Sequence, residues 1–135
     1  MMKALALFAA AALLAACAQT RPGGRAAPSF DGQWRVVQVG GQQVDNPQAV
    51  LSFDAAAQRF SANVGCNNLF GGFTRPGGGL LFGQTASTLK MCDEAAMQLD
   101  RRTLAALEQT RRYRGDGQTL ELTDGNGQTV LRAVR

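Results

Sequence analysis

The 135-residue sequence has no histidine and only two lysines, Lys3 and Lys90. Without histidine there can be no Ser-His or Cys-His dyad and no histidine-ligated zinc site, so much of hydrolase and metalloenzyme chemistry is closed to the chain. Long apolar runs are also lacking. The uncharged stretch Ala4–Ala16 has 13 residues, short of the roughly 20 that a membrane-spanning helix needs at 1.5 Å rise per residue.

What stands at the N-terminus is a different kind of segment. Lys3 followed by an Ala/Leu/Phe run reads as a charged and then a hydrophobic region of a secretory signal over residues 1–16. The run ends on Leu14-Ala15-Ala16-Cys17, which looks like a bacterial lipobox, with cleavage before Cys17 and acylation of its thiol and new amino group. Two or more acyl chains anchor stably where one is reversible. Cys17 is therefore expected to be a membrane tether, and Ala18, not being aspartate, favours the outer membrane with the domain facing the periplasm. Residues 17–29 hold two prolines, two glycines and no large apolar side chain, so a flexible spacer is expected there. The folded domain is expected over residues 30–135.

The charge balance is basic but modest. Lys and Arg total 14 against 10 Asp and Glu, and loss of Lys3 with the signal leaves 13 − 10 = +3 before the terminus is counted. An exported, anchored chain does not ordinarily meet nucleic acid, so the excess reads as a soluble surface. The arginines at 101, 102, 111, 112 and 114 read as a solvated helix face and its C-terminal flank, with an anionic surface as the sharper alternative.

Three cysteines leave two once Cys17 is acylated. In an oxidising compartment a Cys66–Cys92 disulfide is the default. Two other readings stay open. Cys92 lies just ahead of an expected helix start and near Lys90, a setting that lowers a thiol pKa, and a metal bound by both cysteines would need carboxylates such as Asp93 or Glu94. Asp100 and Glu108 share the helix, but nothing marks them as an acid/base pair.

Along the mature chain, residues 33–39, 50–53, 59–64 and 69–74 read as strands from their β-branched, aromatic and alternating composition. Gly71-Gly72 is expected to form a bulge or a close backbone approach. After the turn at Arg75–Gly79, residues 80–82 and 84–89 read as extended. From Asp93 to Gln109 glycine and proline are absent, and Met97, Leu104 and Leu107 share one face. This predicts one helix over 93–109, capped by Asp93 and complemented at its negative end by Arg111 and Arg112. Two turns, Gly115–Gly117 and Asp124–Gly127, then frame strands over 119–123 and 129–134. The expected fold is mainly β within α+β: seven or eight short antiparallel strands in a strongly curved sheet or partly closed barrel, with one packed helix.

With these elements placed, the sequence resembles the META domain, the family of the heat-shock lipoprotein HslJ. The matching residues are Gly32-x-Trp34, Leu51-x-Phe53, Phe60-Ser61-Ala62, Gly65-Cys66-Asn67-Asn68 with Gly71 and Phe73, and Leu80-x-Phe82-Gly83. Ser87-Thr88-x-x-Met91-Cys92, Leu104-x-x-Leu107, Tyr113 and Leu120-x-Leu122-x-Asp124 continue the match. The Gly-Cys-Asn and Thr-x-x-Met-Cys pair is its specific part. Asn68 and Gly71-Gly72 depart from the family's usual residues, which bears on surface chemistry and not on fold. The resemblance implies an exported β domain tied to stress response, antibiotic tolerance or envelope integrity, and it carries over no catalytic residue.

The resulting expectation is a non-enzymatic, lipid-anchored monomer of the cell envelope with no cofactor and no metal. Its partners would be the membrane through Cys17 and an envelope protein or small apolar ligand, not nucleic acid. Asn67, Asn68 and Trp34 are the candidate contacts. The asparagines are read first as turn residues that satisfy backbone groups and tolerate positive φ. Trp34, Phe53, Phe60, Phe70, Phe73 and Phe82 are read first as core and second as lining a groove. The alternatives are a thiol-dependent enzyme or redox sensor using Cys66 and Cys92, or an inhibitor of a cell-wall enzyme.

Overall fold

A computed structural model describes residues 29–135 of the chain. The signal, Cys17 and the spacer read above lie outside the described residues, apart from Ser29. Nine strands and one α-helix run in the order β1 (Gly32–Val39), β2 (Gln42–Gln43), β3 (Val50–Asp54), β4 (Arg59–Asn63), β5 (Asn68–Thr74), β6 (Leu81–Ser87), α1 (Glu94–Gln109), β7 (Arg112–Gly115), β8 (Thr119–Thr123) and β9 (Thr129–Val134). All pairings are antiparallel, in the spatial order β6-β5-β4-β3-β1-β9-β8-β7, with β2 added to the end of β1. Most successive strands are joined by connections too short for a parallel crossover, which sets their pairing; the exception is the helical β6–β7 connection, whose strands lie at opposite ends of the order.

The sheet is strongly curved and not closed. Its outer strands come together at one point, where the Leu80 N–H donates to the Arg111 carbonyl at 2.9 Å. Elsewhere α1 packs against β1, β6 and β9. The inward faces bury Trp34, Val36, Leu51, Leu107, Leu122 and Leu131, among others, in one core. Burying each such side chain contributes about 1.5–3 kcal/mol.

The strand patterns explain these faces. Along β5, Leu69, Gly71 and Phe73 point inward and alternate with less buried neighbours, as a period of two requires. In β1 the inward series Trp34, Val36 is followed by Val39. A register shift between Val36 and Gln38 adds one residue and changes the phase, so Val39 and not Gln38 enters the core. Of the two expectations for Gly71-Gly72, the close approach is met: a Cβ on Gly71 would stand 2.6 Å from the Gln84 carbonyl oxygen, and the register shift opposite, from Gly71↔Thr85 to Phe73↔Phe82, puts the extra residue on β6.

Two expectations need correction. The extended pieces at 80–82 and 84–89 are one strand, β6, which ends at Ser87, so that Thr88–Met91 is a loop. Arg112–Gly115 is a strand and not merely the helix's basic flank, because its backbone pairs with β8 from Arg112↔Thr123 to Gly115↔Leu120. Arg111 does serve the helix end, donating from Nη1 to the Glu108 carbonyl at 2.8 Å. Asp93 caps the other end, its carboxylate accepting from the Ala96 N–H at 2.7 Å.

Candidate functional site

The side chains with the most chemistry gather where β4 turns into β5. Cys66 and Cys92 are joined as a disulfide, with Cα atoms 5.9 Å apart, so the loop ahead of α1 is tied to the β4–β5 connection. Gly65 comes first in that connection because the helix lies directly on it. A Cβ there would stand 2.3 Å from the Ala96 carbonyl oxygen and 2.8 Å from the Asp100 carboxylate. Only glycine allows this approach.

Asp100 is the residue around which the turn is built. It is 8 % exposed, and its carboxylate accepts three hydrogen bonds. The Cys66 N–H donates to Oδ1 at 2.9 Å, the Asn67 N–H to Oδ2 at 2.9 Å, and the Asn67 side-chain Nδ2 to Oδ2 at 3.0 Å. Each charge-assisted bond of this kind contributes about 1.5–3 kcal/mol. Sequence reasoning missed this role. The available signal was position: Asp100 falls between Met97 and Leu104 on the apolar stripe, where a carboxylate would need dedicated donors.

Asn67 uses its whole side chain. Oδ1 accepts from the Lys90 N–H at 2.6 Å and from the Thr88 hydroxyl at 3.0 Å, while Nδ2 also donates to the Lys90 carbonyl at 3.3 Å. The Asn68 N–H donates to the Thr88 hydroxyl at 3.0 Å, and the Thr88 N–H donates to the Asn68 carbonyl at 3.1 Å. Asn67 through its side chain and Asn68 through its main chain thus hold the Thr88–Met91 loop, rather than the backbone of their own turn as expected. Neither adopts positive φ; among the described non-glycine residues only Gln58 does, at 53°. That part of the expectation is corrected: the turn is held by Asp100, which accepts from the Cys66 and Asn67 N–H groups, with no left-handed residue in it.

Trp34 lies elsewhere. It is 2 % exposed, donates its indole N–H to the Phe30 carbonyl at 2.6 Å, and is covered by Arg135, whose guanidinium carbon sits 4.0 Å from the ring centroid. Phe53, Phe60 and Phe73 are core as well. Phe30, Phe53 and Phe73 meet edge-on with centroids 4.8–5.7 Å apart, an arrangement that aromatic quadrupoles favour. Arg75 stacks 4.8 Å from both Phe30 and Tyr113. Trp34, Phe53, Phe60 and Phe73 therefore fill the interior of the curved sheet, with Phe82 packed against them, whereas Phe70 lies half-buried on the other face of β5.

An apolar groove does exist, between the Thr88–Met91 loop and α1. It encloses about 240 Å³ and is lined chiefly by Leu69, Leu89, Met91, Met97 and Leu104, with Lys90 and Arg101 at its mouth and Asn67 and Asp100 in its wall. Leu89 and Met91 are 93 % and 87 % exposed. The arginines do not form one patch: Arg101 pairs with Glu94 at 2.6 Å, Arg102 contacts the Gln42 amide, and Arg114 pairs with Glu121 at 2.9 Å. Among the described residues no group of three or more His, Cys, Asp or Glu could hold a metal, and no helix is long and apolar enough to cross a membrane.

Fold and site together define a small, curved-sheet β domain whose Gly-Cys-Asn turn is locked to a helix by a buried carboxylate and a disulfide. The META domain model matches residues 27–135, and the chain belongs to that family. Its fold is similar to the NMR structure of a protein from Burkholderia xenovorans, at 24 % identity and a TM-score of 0.60, covering 78 % of this chain and 82 % of that one. A second NMR structure is similar at 22 % identity and a TM-score of 0.58, covering 76 % and 88 %. The crystal structure of a DUF4847 family protein from Bacteroides vulgatus is similar at 16 % identity and a TM-score of 0.55, covering 77 % and 92 %. At these identities the likeness is one of fold. No curated protein matches the chain.

Proposed function

We propose that this META-domain protein is a non-enzymatic, lipid-anchored envelope protein that supports tolerance of heat or antibiotic stress through a binding or structural role. The observation that carries the reading is how the reactive side chains around the Gly-Cys-Asn turn are used. Cys66 and Cys92 are spent on a disulfide, and Asp100 and Asn67 on holding backbone N–H and C=O groups. A carboxylate already accepting three hydrogen bonds is a poor general base, and a disulfide sulfur is not a nucleophile. Export through a signal over residues 1–16 and acylation at Cys17 supply the compartment in which such a disulfide persists.

Cys17→Ser is the test. Detergent-phase partitioning of the full chain expressed in a Gram-negative cell should fall to background, and the variant should fail to restore stress survival to a deletion strain. Partitioning and complementation that are both unchanged would refute the anchored reading.

A further inference from the structure

Leu89 and Met91 are the large hydrophobic side chains that stand exposed among the described residues, and they flank Lys90 on a single loop. Isolated exposed apolar residues are ordinary on protein surfaces. This pair differs in two respects. The backbone between them is held rigidly: Asn67 accepts from the Lys90 N–H and donates to the Lys90 carbonyl, Thr88 is bonded to both Asn67 and Asn68, and Cys92 is in the disulfide. The two side chains are thus held outward by a network on either side of them. Behind them the apolar surface continues through Met97, Leu104 and Leu69 along the groove.

We propose that the Thr88–Met91 loop is a lipid-surface contact, in which Leu89 and Met91 enter the acyl boundary and Lys90 meets anionic head groups. The groove, at about 240 Å³, falls below the roughly 300–1,000 Å³ of pockets that enclose a small molecule, and the most apolar side chains project from it. A projecting pair needs a partner that receives it, and an acyl layer does so without specific shape. The head-group contact rests on Lys90 alone, because the carboxylates beside the loop keep their charge and are turned elsewhere: Asp93 onto the helix N-terminus, Glu94 onto Arg101, and Asp100 onto the Gly-Cys-Asn backbone. Lys90 is the cation left at the loop's tip, with no ion-pair partner among the described residues. Its long stem can lie along the apolar layer while the ammonium stays among the head groups. This contact goes beyond the proposed anchor and does not depend on acylation of Cys17.

The test uses the full chain with vesicles of phosphatidylcholine and phosphatidylglycerol whose acyl chains carry bromine. Leu89→Trp places an indole at the loop. Gln118→Trp places one at the opposite end of the strands, where the Gln118 carbonyl accepts from the Arg135 N–H. The indole at 89 should shift to the blue and be quenched about twofold, consistent with burial of 5–10 Å, while the indole at 118 should not. Leu89→Trp combined with Lys90→Glu should lose that quenching on anionic vesicles. Equal responses at 89 and 118 would overturn the proposal, as would an indole at 89 that is shielded without vesicles in a concentration-dependent way, which would mark self-association. Failure of the anchor shows instead as partitioning that does not respond to Cys17→Ser, and it leaves the readout at 89 unaffected.

Discussion

Asp100 satisfies three donors with one carboxylate, two of them main-chain N–H groups in a turn shielded from solvent. Asp100→Ala would leave the Cys66 and Asn67 N–H groups unpaired, while Asn67 Nδ2 keeps the Lys90 carbonyl, and each buried orphan costs about 1–3 kcal/mol. We expect a loss of about 3–5 kcal/mol in urea unfolding, with Asp100→Asn intermediate because one amide oxygen replaces two carboxylate oxygens. A loss under 1 kcal/mol for the alanine variant would show that the turn holds itself. A second carboxylate is read through pH. The Thr119 and Gln118 N–H groups donate to Asp116 in the β7–β8 turn and hold its pKa below the ordinary aspartate value. The folded value is lowered, so the stabilisation is present above the unfolded pKa of about 3.9 and is lost as pH falls through the lower folded value. The gap in melting temperature between the wild type and Asp116→Asn should therefore be widest near neutrality and narrow below about pH 4. A gap that stays constant from neutrality to the acid limit would contradict this assignment. Of these residues, Cys66, Cys92 and the asparagines could be singled out from the sequence, since each belongs to a motif. Asp100 shows in the sequence only as a carboxylate on the helix's apolar stripe, and its role stays hidden because its donors come from a turn 33 and 34 positions away.

At the scale of elements, the disulfide spans 26 residues and joins the start of the helix to the end of a hairpin. In the chain-entropy model, closing such a loop stabilises the fold by about 3.5 kcal/mol. The Cys66→Ser/Cys92→Ser double variant should accordingly melt on the order of 15–25 °C lower, and the purified wild type should show no free thiol at either position. A double variant that melts within a few degrees of the wild type would mean that Asp100 and Asn67 alone hold the loop. The helix itself was legible: its length, the Asp93 cap and the packing of Leu107 follow from composition and period. The strand β7 was not. Arg111-Arg112-Tyr113-Arg114 has the charge of a helix flank, and only pairing with Thr119–Thr123 makes it extended, a tertiary override of local preference.

The whole molecule depends on how the sheet's two outer strands meet. A Cβ on Gly79 would lie 2.8 Å from the Arg111 carbonyl oxygen, the same oxygen that accepts from the Leu80 N–H. Gly79→Ala should push the strands apart at about 1–3 kcal/mol of lost stability, and hydrogen exchange at the Leu80 amide should accelerate more than at amides of β3 or β4. Unchanged exchange at Leu80 would show that this contact does not hold the outer strands together. The antiparallel order and the helix could be anticipated, because short turns force neighbouring strands to pair and an amphipathic helix must cover an open sheet. Alternation, turn chemistry and the Gly-Cys-Asn and Thr-x-x-Met-Cys motifs determined by themselves the fold class, the helix and the family. Only the tertiary structure decided that Asp100 holds the Gly-Cys-Asn turn, that Asn67 pins the loop at Lys90, and that Leu89 and Met91 face outward. The reason is physical: period and propensity act over a few residues, whereas these contacts join positions 23 to 34 apart and exist only once the sheet has curled around its helix.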